Sequence, residues 1–112
     1  MDKRSRTPSE STQIERVELA EGCWLHVAVG DDGDVVGTVA VDASAGDVAR
    51  ISWLVVDGSR VDTEGVGAAL IAGAAQAAAA AGCTRLEARE HPRWAALGFA
   101  AGSDGKAVRR LP

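Results

Sequence analysis

The chain has 112 residues, of which 46% are hydrophobic and 25% are charged, proportions that suit one small globular domain. Its formal net charge of −4 disfavours nucleic acid or an anionic membrane surface as a partner. The two cysteines, Cys23 and Cys83, lie far apart with no metal-ligand spacing, so we expect both to be buried small hydrophobic side chains in a reducing, cytoplasmic compartment.

The first residues of the chain have the composition of a tail. Residues 1–12 are charged, rich in Ser and Thr and contain Pro8, which is typical of disorder. No apolar run follows the basic start, so a signal peptide is not expected. The sequence therefore predicts a tail over residues 1–12 and a single domain over residues 13–112.

Short apolar segments then predict an antiparallel meander. Residues 14–19 are too few to separate a strand from a helical turn, although a strand is favoured. Three further segments predict strands joined by turns that contain Gly and Asp: 24–29, 35–41 and 48–56. From Ile51 onward the last of these is apolar apart from Ser52, as expected of a central strand.

The next segment predicts one long helix. It runs from Gly65 to about Ala81, is rich in Ala, and is followed by Gly82 as a left-handed cap. The uncharged run 65–84 is long enough to suggest a membrane span. Spanning helices, however, contain mainly large apolar residues, whereas Ala and Gly dominate here. We therefore expect a helix buried against a sheet, and no membrane association.

The remaining segments complete a mixed fold. Residues 84–88 predict a strand that returns parallel to 48–56 through a right-handed crossover. A short helical turn is expected over 92–97 and a last strand over 106–111. The predicted class is α/β (α+β): a mixed, mostly antiparallel central sheet with one dominant Ala-rich helix.

The start of the helix carries a candidate anion site. It reads Asp62-Thr63-Glu64-Gly65-Val66-Gly67, and glycines at a helix entrance expose amides and the positive end of the helix dipole to a phosphate. A nucleoside triphosphate loop is excluded because no Lys-Ser or Lys-Thr follows. The dinucleotide fingerprint fails at its third position, Leu70. An acyl-coenzyme A pyrophosphate turn remains, as does a helix start that merely packs closely on the sheet.

The same turn, together with the later segment Trp94-Ala95-Ala96-Leu97-Gly98-Phe99, resembles the GNAT superfamily. The family turn reads Q/R-x-x-G-x-G/A and its later motif reads Y-x-x-L-G-F. The resemblance covers roughly residues 23–112. It implies an acyl-CoA N-acyltransferase fold, acetyl-CoA as co-substrate, and transfer of the acetyl group to a small-molecule or peptide amine by direct attack in a ternary complex.

One departure from the family is large. Two helices normally separate its first two strands, whereas only residues 20–22 separate them here. Those helices usually help to form the wall of the acceptor site. The wall is therefore either lost or supplied by a second subunit, and an open flank favours a homodimer.

The resemblance also assigns the cofactor to main-chain groups. Pantetheine would bind along the strand, at Leu54, Val55 and Val56. The pyrophosphate would face the amides of Gly65, Val66, Gly67 and Ala68. Asp62 and Glu64 oppose it, since a like-charge pair at about 6 Å costs roughly 3 kcal/mol before screening. Arg60 could fold back and offset part of this repulsion, although a solvated loop cation is the favoured interpretation.

The chain retains few of the catalytic side chains that the family resemblance implies. Trp94 holds the position of the Tyr that usually protonates the departing thiolate, and the chain contains no Tyr. An indole N–H cannot serve as an acid near neutral pH. His91, just before Pro92, is the best-placed general base, whereas a structural role is favoured for His26. The acidic turn 31–34 lacks the distal Glu of a calcium loop, so no metal is expected.

Two functions therefore remain open from the sequence. The first is a small acetyltransferase of this family that lacks the two N-terminal helices. The second is a catalytically degenerate domain of the same shape that binds coenzyme A or a protein partner. The acceptor amine and the acyl group are not identified by the sequence.

Overall fold

The computed structural model describes residues 12–44, 46–59, 61–89, 91–102 and 105–111, so the predicted tail lies outside the described residues except for Thr12. The described elements are, in order, β1 (Gln13–Ala20), β2 (Cys23–Val29), β3 (Val35–Asp42), β4 (Val48–Val56), α1 (Thr63–Ala80), β5 (Arg85–Arg89), a 3₁₀ helix (Pro92–Leu97), β6 (Ala100–Ala101) and β7 (Lys106–Arg110). The strands form one sheet in the order β1-β2-β3-β4-β5-β7-β6. This mixed sheet with one dominant helix confirms the predicted class.

The first four strands form the predicted meander, and the undecided segment 14–19 is a strand. Each of β1 to β4 pairs antiparallel with its neighbour in sequence. The turn between β2 and β3 contains Gly33 at φ +87, a conformation that favours glycine. Alternation along β2 buries every second residue, because one face of this strand lies toward the helix.

Helix α1 begins earlier than predicted and ends as predicted. It starts at Thr63 because the Asp62 side chain caps it. At its other end Gly82 has φ +94, and the Cys83 N–H donates to the carbonyl of Ala78 at 2.9 Å, the bond of a Schellman cap. Within the described residues, no helix is long and apolar enough to cross a membrane.

The core lies between α1 and the sheet. Val66, Leu70 and Ile71 of α1 are fully buried. The two approach closely at Gly37 of β3, where an added Cβ would lie 3.1 Å from Leu70 Cδ1. The expectation of buried cysteines holds for Cys83, whereas Cys23 is half-buried, and both are free thiols. The described residues contain no group of side chains that could hold a metal ion.

The crossover through α1 returns to β5, which pairs parallel with β4 as predicted. The pairing covers only Val48 to Arg50 on β4. One extra β4 residue, Ser52, then separates the pairs that Ile51 and Trp53 make with β3, a bulge that bends the strand. Beyond Arg50 the two strands diverge, and we call the wedge between them the fork. The structure also has the two-residue strand β6, which the sequence analysis did not predict.

Candidate functional site

The fork opens toward the start of helix α1. The last paired residues, Arg50 and Glu87, mark its closed end, which we call the apex. β4 continues for six residues past Arg50 to Val56, and the chain then enters α1 at Thr63. The 3₁₀ helix that follows β5 lies on the other side of the opening. The predicted pantetheine-binding residues Leu54, Val55 and Val56 therefore lie along the fork.

A cavity of about 230 Å³ lies at the open end of the fork. Its lining comes from β4, from the first turn of α1 and from the 3₁₀ helix: Leu54, Val56, Thr63, Glu64, Gly67, Ala96 and Leu97. Gly67 leaves space, since a Cβ there would meet only Leu97 Cδ2, at 3.9 Å. We call this space the mouth cavity. Its size and apolar walls suit a narrow ligand chain rather than a bulky group.

The predicted pyrophosphate turn lies inside α1 rather than ahead of it. The Asp62 carboxylate accepts a hydrogen bond from the Gly65 N–H at 3.0 Å, and the Asp62 carbonyl accepts from the Val66 N–H at 3.0 Å. Helix geometry therefore leaves the amides of Thr63 and Glu64, not those of the glycines, without an acceptor within the helix. Gly67 contributes open space instead of an amide.

The electrostatics of the mouth cavity are unfavourable to an anion. Glu64 is the one charged residue among its described lining residues, and Asp62 caps the helix beside it. The predicted compensating cation, Arg60, lies outside the described residues. The helix dipole and the exposed amides attract an anion here, whereas the two carboxylates repel it.

The predicted catalytic residues share a second cavity. His91 and Trp94 both line a space of about 410 Å³ with Phe99. Trp94 is buried, and its ring contacts that of Phe99 at 5.1 Å between centroids. The main chain links them, since the Trp94 N–H donates to the His91 carbonyl at 3.1 Å. This cavity and the mouth cavity have no described lining residue in common.

A third cavity, of about 310 Å³, lies at the apex of the fork. It is lined by Arg50, Ile51, Glu87, Ala88, Arg89, Gly105 and Lys106. Glu87 is 9% exposed and accepts a hydrogen bond from Arg85 Nε at 3.0 Å. That bond, with the nearby cations, holds the pKa of Glu87 below its usual range although burial opposes the shift. We call this space the apex cavity.

No pattern in the sequence predicts this cluster. Glu87 lies between two Arg residues on a short strand, which is typical of a solvated surface. Its burial depends on cations from other strands, since Lys106 Nζ lies at 3.7 Å and Arg50 Nε at 3.9 Å from Oε1. The available signal was a single acid, Glu87, at the centre of a short predicted strand.

His26 has the structural role that the sequence favoured. It is 6% exposed, and its Nε2 accepts a hydrogen bond from Trp24 Nε1 at 2.8 Å. Gly73 of α1 lies against its other nitrogen, where an added Cβ would be 3.4 Å from Nδ1. Burial, followed by the charge of Arg16, lowers the pKa of His26.

This lowered pKa predicts a stability change with pH. The unfolded chain protonates His26 near pH 6.5, whereas the folded chain resists protonation, so the free energy of unfolding should fall as pH drops from about 7 through 6. Urea midpoints at pH 7.5 and 5.5 measure this. We expect His91→Gln to retain the slope and His26→Gln to lose most of it; an unchanged slope in His26→Gln would contradict the prediction.

Comparison with known proteins places the chain in a family. The sequence matches the family model described as Acetyltransferase (GNAT) family over residues 2–101. No curated protein matches the sequence at a significant level. Among solved structures, the fold is similar to a GNAT family N-acetyltransferase (YhbS) from Escherichia coli in complex with CoA, with a TM-score of 0.65 and 19% identity over 80% of this chain and 59% of that one.

Two other structures are also similar. N-acetylglutamate synthase from Neisseria gonorrhoeae, complexed with coenzyme A and L-arginine, has a TM-score of 0.69 and 26% identity over 78% of this chain and 24% of that one. The IAA acetyltransferase from Bacillus cereus has a TM-score of 0.72 and 17% identity over 90% of this chain and 100% of that one. The chain spans less than two thirds of the length of the Escherichia coli and Neisseria proteins. The chain therefore belongs to the GNAT acetyltransferase family, as predicted.

Proposed function

We propose that this protein transfers an acetyl group from acetyl-CoA to an amine by direct attack in a ternary complex. The observation that carries the proposal is the fork. β5 separates from β4 after Arg50, and β4 then continues alone to the mouth cavity. A cofactor arm that runs along β4 would enter at the start of α1 and end near the apex. Transfer then needs mainly the correct placement of amine and thioester.

The cofactor-binding part of the proposal uses main-chain groups. Pantetheine pairs with β4 along Leu54, Val55 and Val56. The pyrophosphate lies at the start of α1, near the segment of Gly65, Val66, Gly67 and Ala68, with Arg60 as a further contact. The position of the Asp62 cap adds the amides of Thr63 and Glu64 to this set.

The proton-transfer part is built on the second cavity. We propose His91 as the base that takes the proton from the amine, because its side chain is exposed in a cavity beside the Trp94 position. Trp94 itself orients neighbouring groups by packing, since its N–H is not acidic. The thiolate of coenzyme A can leave without an acid, because a thiol with a pKa of about 8.5 is a good leaving group.

Calorimetric titration with coenzyme A, followed by a thiol-release assay over a panel of amines, tests this function. Saturable binding with thiol release supports the proposal. Binding without release with any amine identifies the alternative, a catalytically degenerate module, which Trp94 and the acids Asp62 and Glu64 favour. Absence of binding at millimolar coenzyme A overturns the transferase and leaves only the protein-interaction form of the alternative.

We also propose a homodimer formed through the sheet face opposite α1. Val17, Trp53 and Val55 are 42%, 46% and 59% exposed. Strand register places them on one face, since Val17 aligns with Leu25, Leu25 with Ala40 and Ala40 with Trp53. Such a continuous apolar face is typical of an interface.

The central tryptophan of this face allows a direct test. Trp53→Glu should convert a dimer to a monomer, because a charge would be buried at the middle of the interface. Light scattering after gel filtration measures the mass of each species. Asp31→Glu, in the exposed β2–β3 turn, is the control. A wild-type protein that is monomeric at high micromolar concentration would rule out the dimer.

We also propose a cellular location, a domain organisation and a partner class. A cytoplasmic location is supported by two free cysteines. We also infer that residues 13–112 form one domain, and the packing of α1 against β1 to β5 of a single sheet supports this inference. The net charge of −4 supports a partner other than nucleic acid.

A further inference from the structure

We propose that the apex cavity binds the acceptor and selects a small amine that also carries a carboxylate, such as a free amino acid. The inference rests on the proposed acetyl transfer for its chemistry, and on the charges of the cavity for its selectivity. The apex cavity lies where β4 and β5 separate. Ile51 and Ala88, the first residues past the last β4–β5 pair, both line it.

The distance along β4 links this cavity to the cofactor. Ile51 lines the apex cavity and Val56 lines the mouth cavity. Five residues of extended strand span roughly 17 Å, a distance comparable to an extended pantetheine arm. A cofactor with its phosphates at the start of α1 and its arm along β4 would therefore bring the reacting end to the apex. A molecule in the apex cavity would then be next to the acyl group.

The apex cavity carries an excess of positive charge. Arg50 of β4, Arg85 of β5 and Lys106 of β7 all approach the one carboxylate of Glu87. Three cations and one anion leave this cluster with two positive charges, and Arg89 also lines the cavity. Hydrogen bonds from Ser44, with a smaller contribution from Arg50, lower the pKa of Asp42, and the carboxylate of Asp42 offsets part of the excess. The balance remains positive within the described residues.

The cations of the apex cavity are accessible to solvent. Glu87 is buried, whereas the side chains of Arg50 and Lys106 are 58% and 46% exposed. Both cations therefore lie within 4 Å of the buried carboxylate and remain open to solvent. A cationic amine without an anionic group would be repelled here. A ligand carboxylate would receive charge-assisted hydrogen bonds.

The size of the cavity defines the rest of the ligand class. A space of about 310 Å³ that is open to solvent accepts a molecule of amino-acid size. The carboxylate would lie at Arg50 and Lys106 and thus turn the amino group toward Ile51 and the fork. Glu87 is a positioning residue in this arrangement, because it acts through the two cations and does not touch the reacting atoms.

The test compares pairs of acceptors that differ only in the carboxylate. A panel of amino acids and their carboxamides, with ethanolamine and phosphoethanolamine as a second pair, is assayed by thiol release. We expect kcat/KM to be at least tenfold higher for the amino acid than for its amide. A preference for phosphoethanolamine over every amino acid would replace the carboxylate by a phosphate and overturn the stated class.

Variants on one strand separate the cavity from general charge effects. Lys106→Gln should raise KM for amino acids at least tenfold without raising KM for amides, and Lys106→Arg should restore most of the loss. Arg110→Gln, at the other end of β7, removes the same charge outside the cavity and should change neither value. Equal KM values for amino acids in wild type and Lys106→Gln would overturn the inference.

Direct binding keeps the inference testable apart from turnover. If coenzyme A binds but no amine reacts, titration of amino acids and amides into the coenzyme A complex decides it. If coenzyme A does not bind, the proposed function fails, and the same titration into the protein alone judges the cavity. Equal affinities for amino acid and amide in either titration would reject carboxylate recognition.

Discussion

Replacing Asp62 by Asn is expected to tighten coenzyme A binding roughly tenfold, since one of two carboxylates beside the pyrophosphate is removed. The helix cap should survive, because the Asn side-chain oxygen can accept the Gly65 N–H that the Asp62 carboxylate now accepts at 3.0 Å. Only the small favourable interaction of a negative charge with the helix dipole is lost, about 0.3–1 kcal/mol. Calorimetry with coenzyme A measures the gain, and thermal unfolding measures the loss.

The matched control is Asp47→Asn. Asp47 precedes β4, and its carbonyl accepts the Thr84 N–H near the far end of α1, so this variant changes the net charge equally but away from the helix start. It should leave coenzyme A affinity unchanged. If Asp62→Asn binds coenzyme A no more tightly than Asp47→Asn, the pyrophosphate does not lie at the start of α1.

Replacing Gly67 by Leu is expected to weaken coenzyme A binding roughly 100-fold, because the new side chain would fill the mouth cavity and force the ligand or the wall to move. Gly67 lines this cavity together with Leu54, Val56 and Leu97. The chain should still fold, since a Cβ at Gly67 would meet Leu97 Cδ2 only at 3.9 Å. Titration calorimetry gives the affinity, and circular dichroism confirms the fold.

Gly67→Ala is the matched control for this position. A single methyl group fits the cavity, so coenzyme A affinity should stay within about threefold. The free energy of unfolding should rise by about 0.5–1 kcal/mol, because Ala is favoured over Gly inside a helix. A folded Gly67→Leu protein that binds coenzyme A as tightly as Gly67→Ala would exclude the mouth cavity as the entrance of the cofactor.

Local patterns in the sequence predict most of the elements. Apolar runs separated by Gly and Asp predict β2 to β4, and the bounds of β4 are correct because both of its ends coincide with a change from polar or turn residues to apolar ones. The Ala-rich run predicts α1, and Gly82 marks its end. Its beginning at Thr63 was missed because the two glycines suggested an entrance, whereas the capping side chain is Asp62.

The candidate site likewise contains parts that the sequence predicts and parts that it does not predict. Segments that are continuous in sequence, the α1 start and the 94–99 motif, were found because their spacing lies within one stretch of chain. The fork was not predicted, since it depends on how far β4 and β5 pair before the bulge at Ser52 bends β4. The predicted position of Arg60 and the tail over residues 1–12 stay predictions, because they fall on residues outside the described ranges, apart from Thr12.

By itself the sequence determined the family resemblance, the order of strands and helix, and the negatively charged helix start, because each depends on neighbours along the chain. The tertiary structure alone decided that Glu87 is buried among cations from β4, β5 and β7. The physical reason is that burial and charge at a point depend on side chains from several strands, and their register is set by the packing of the whole sheet.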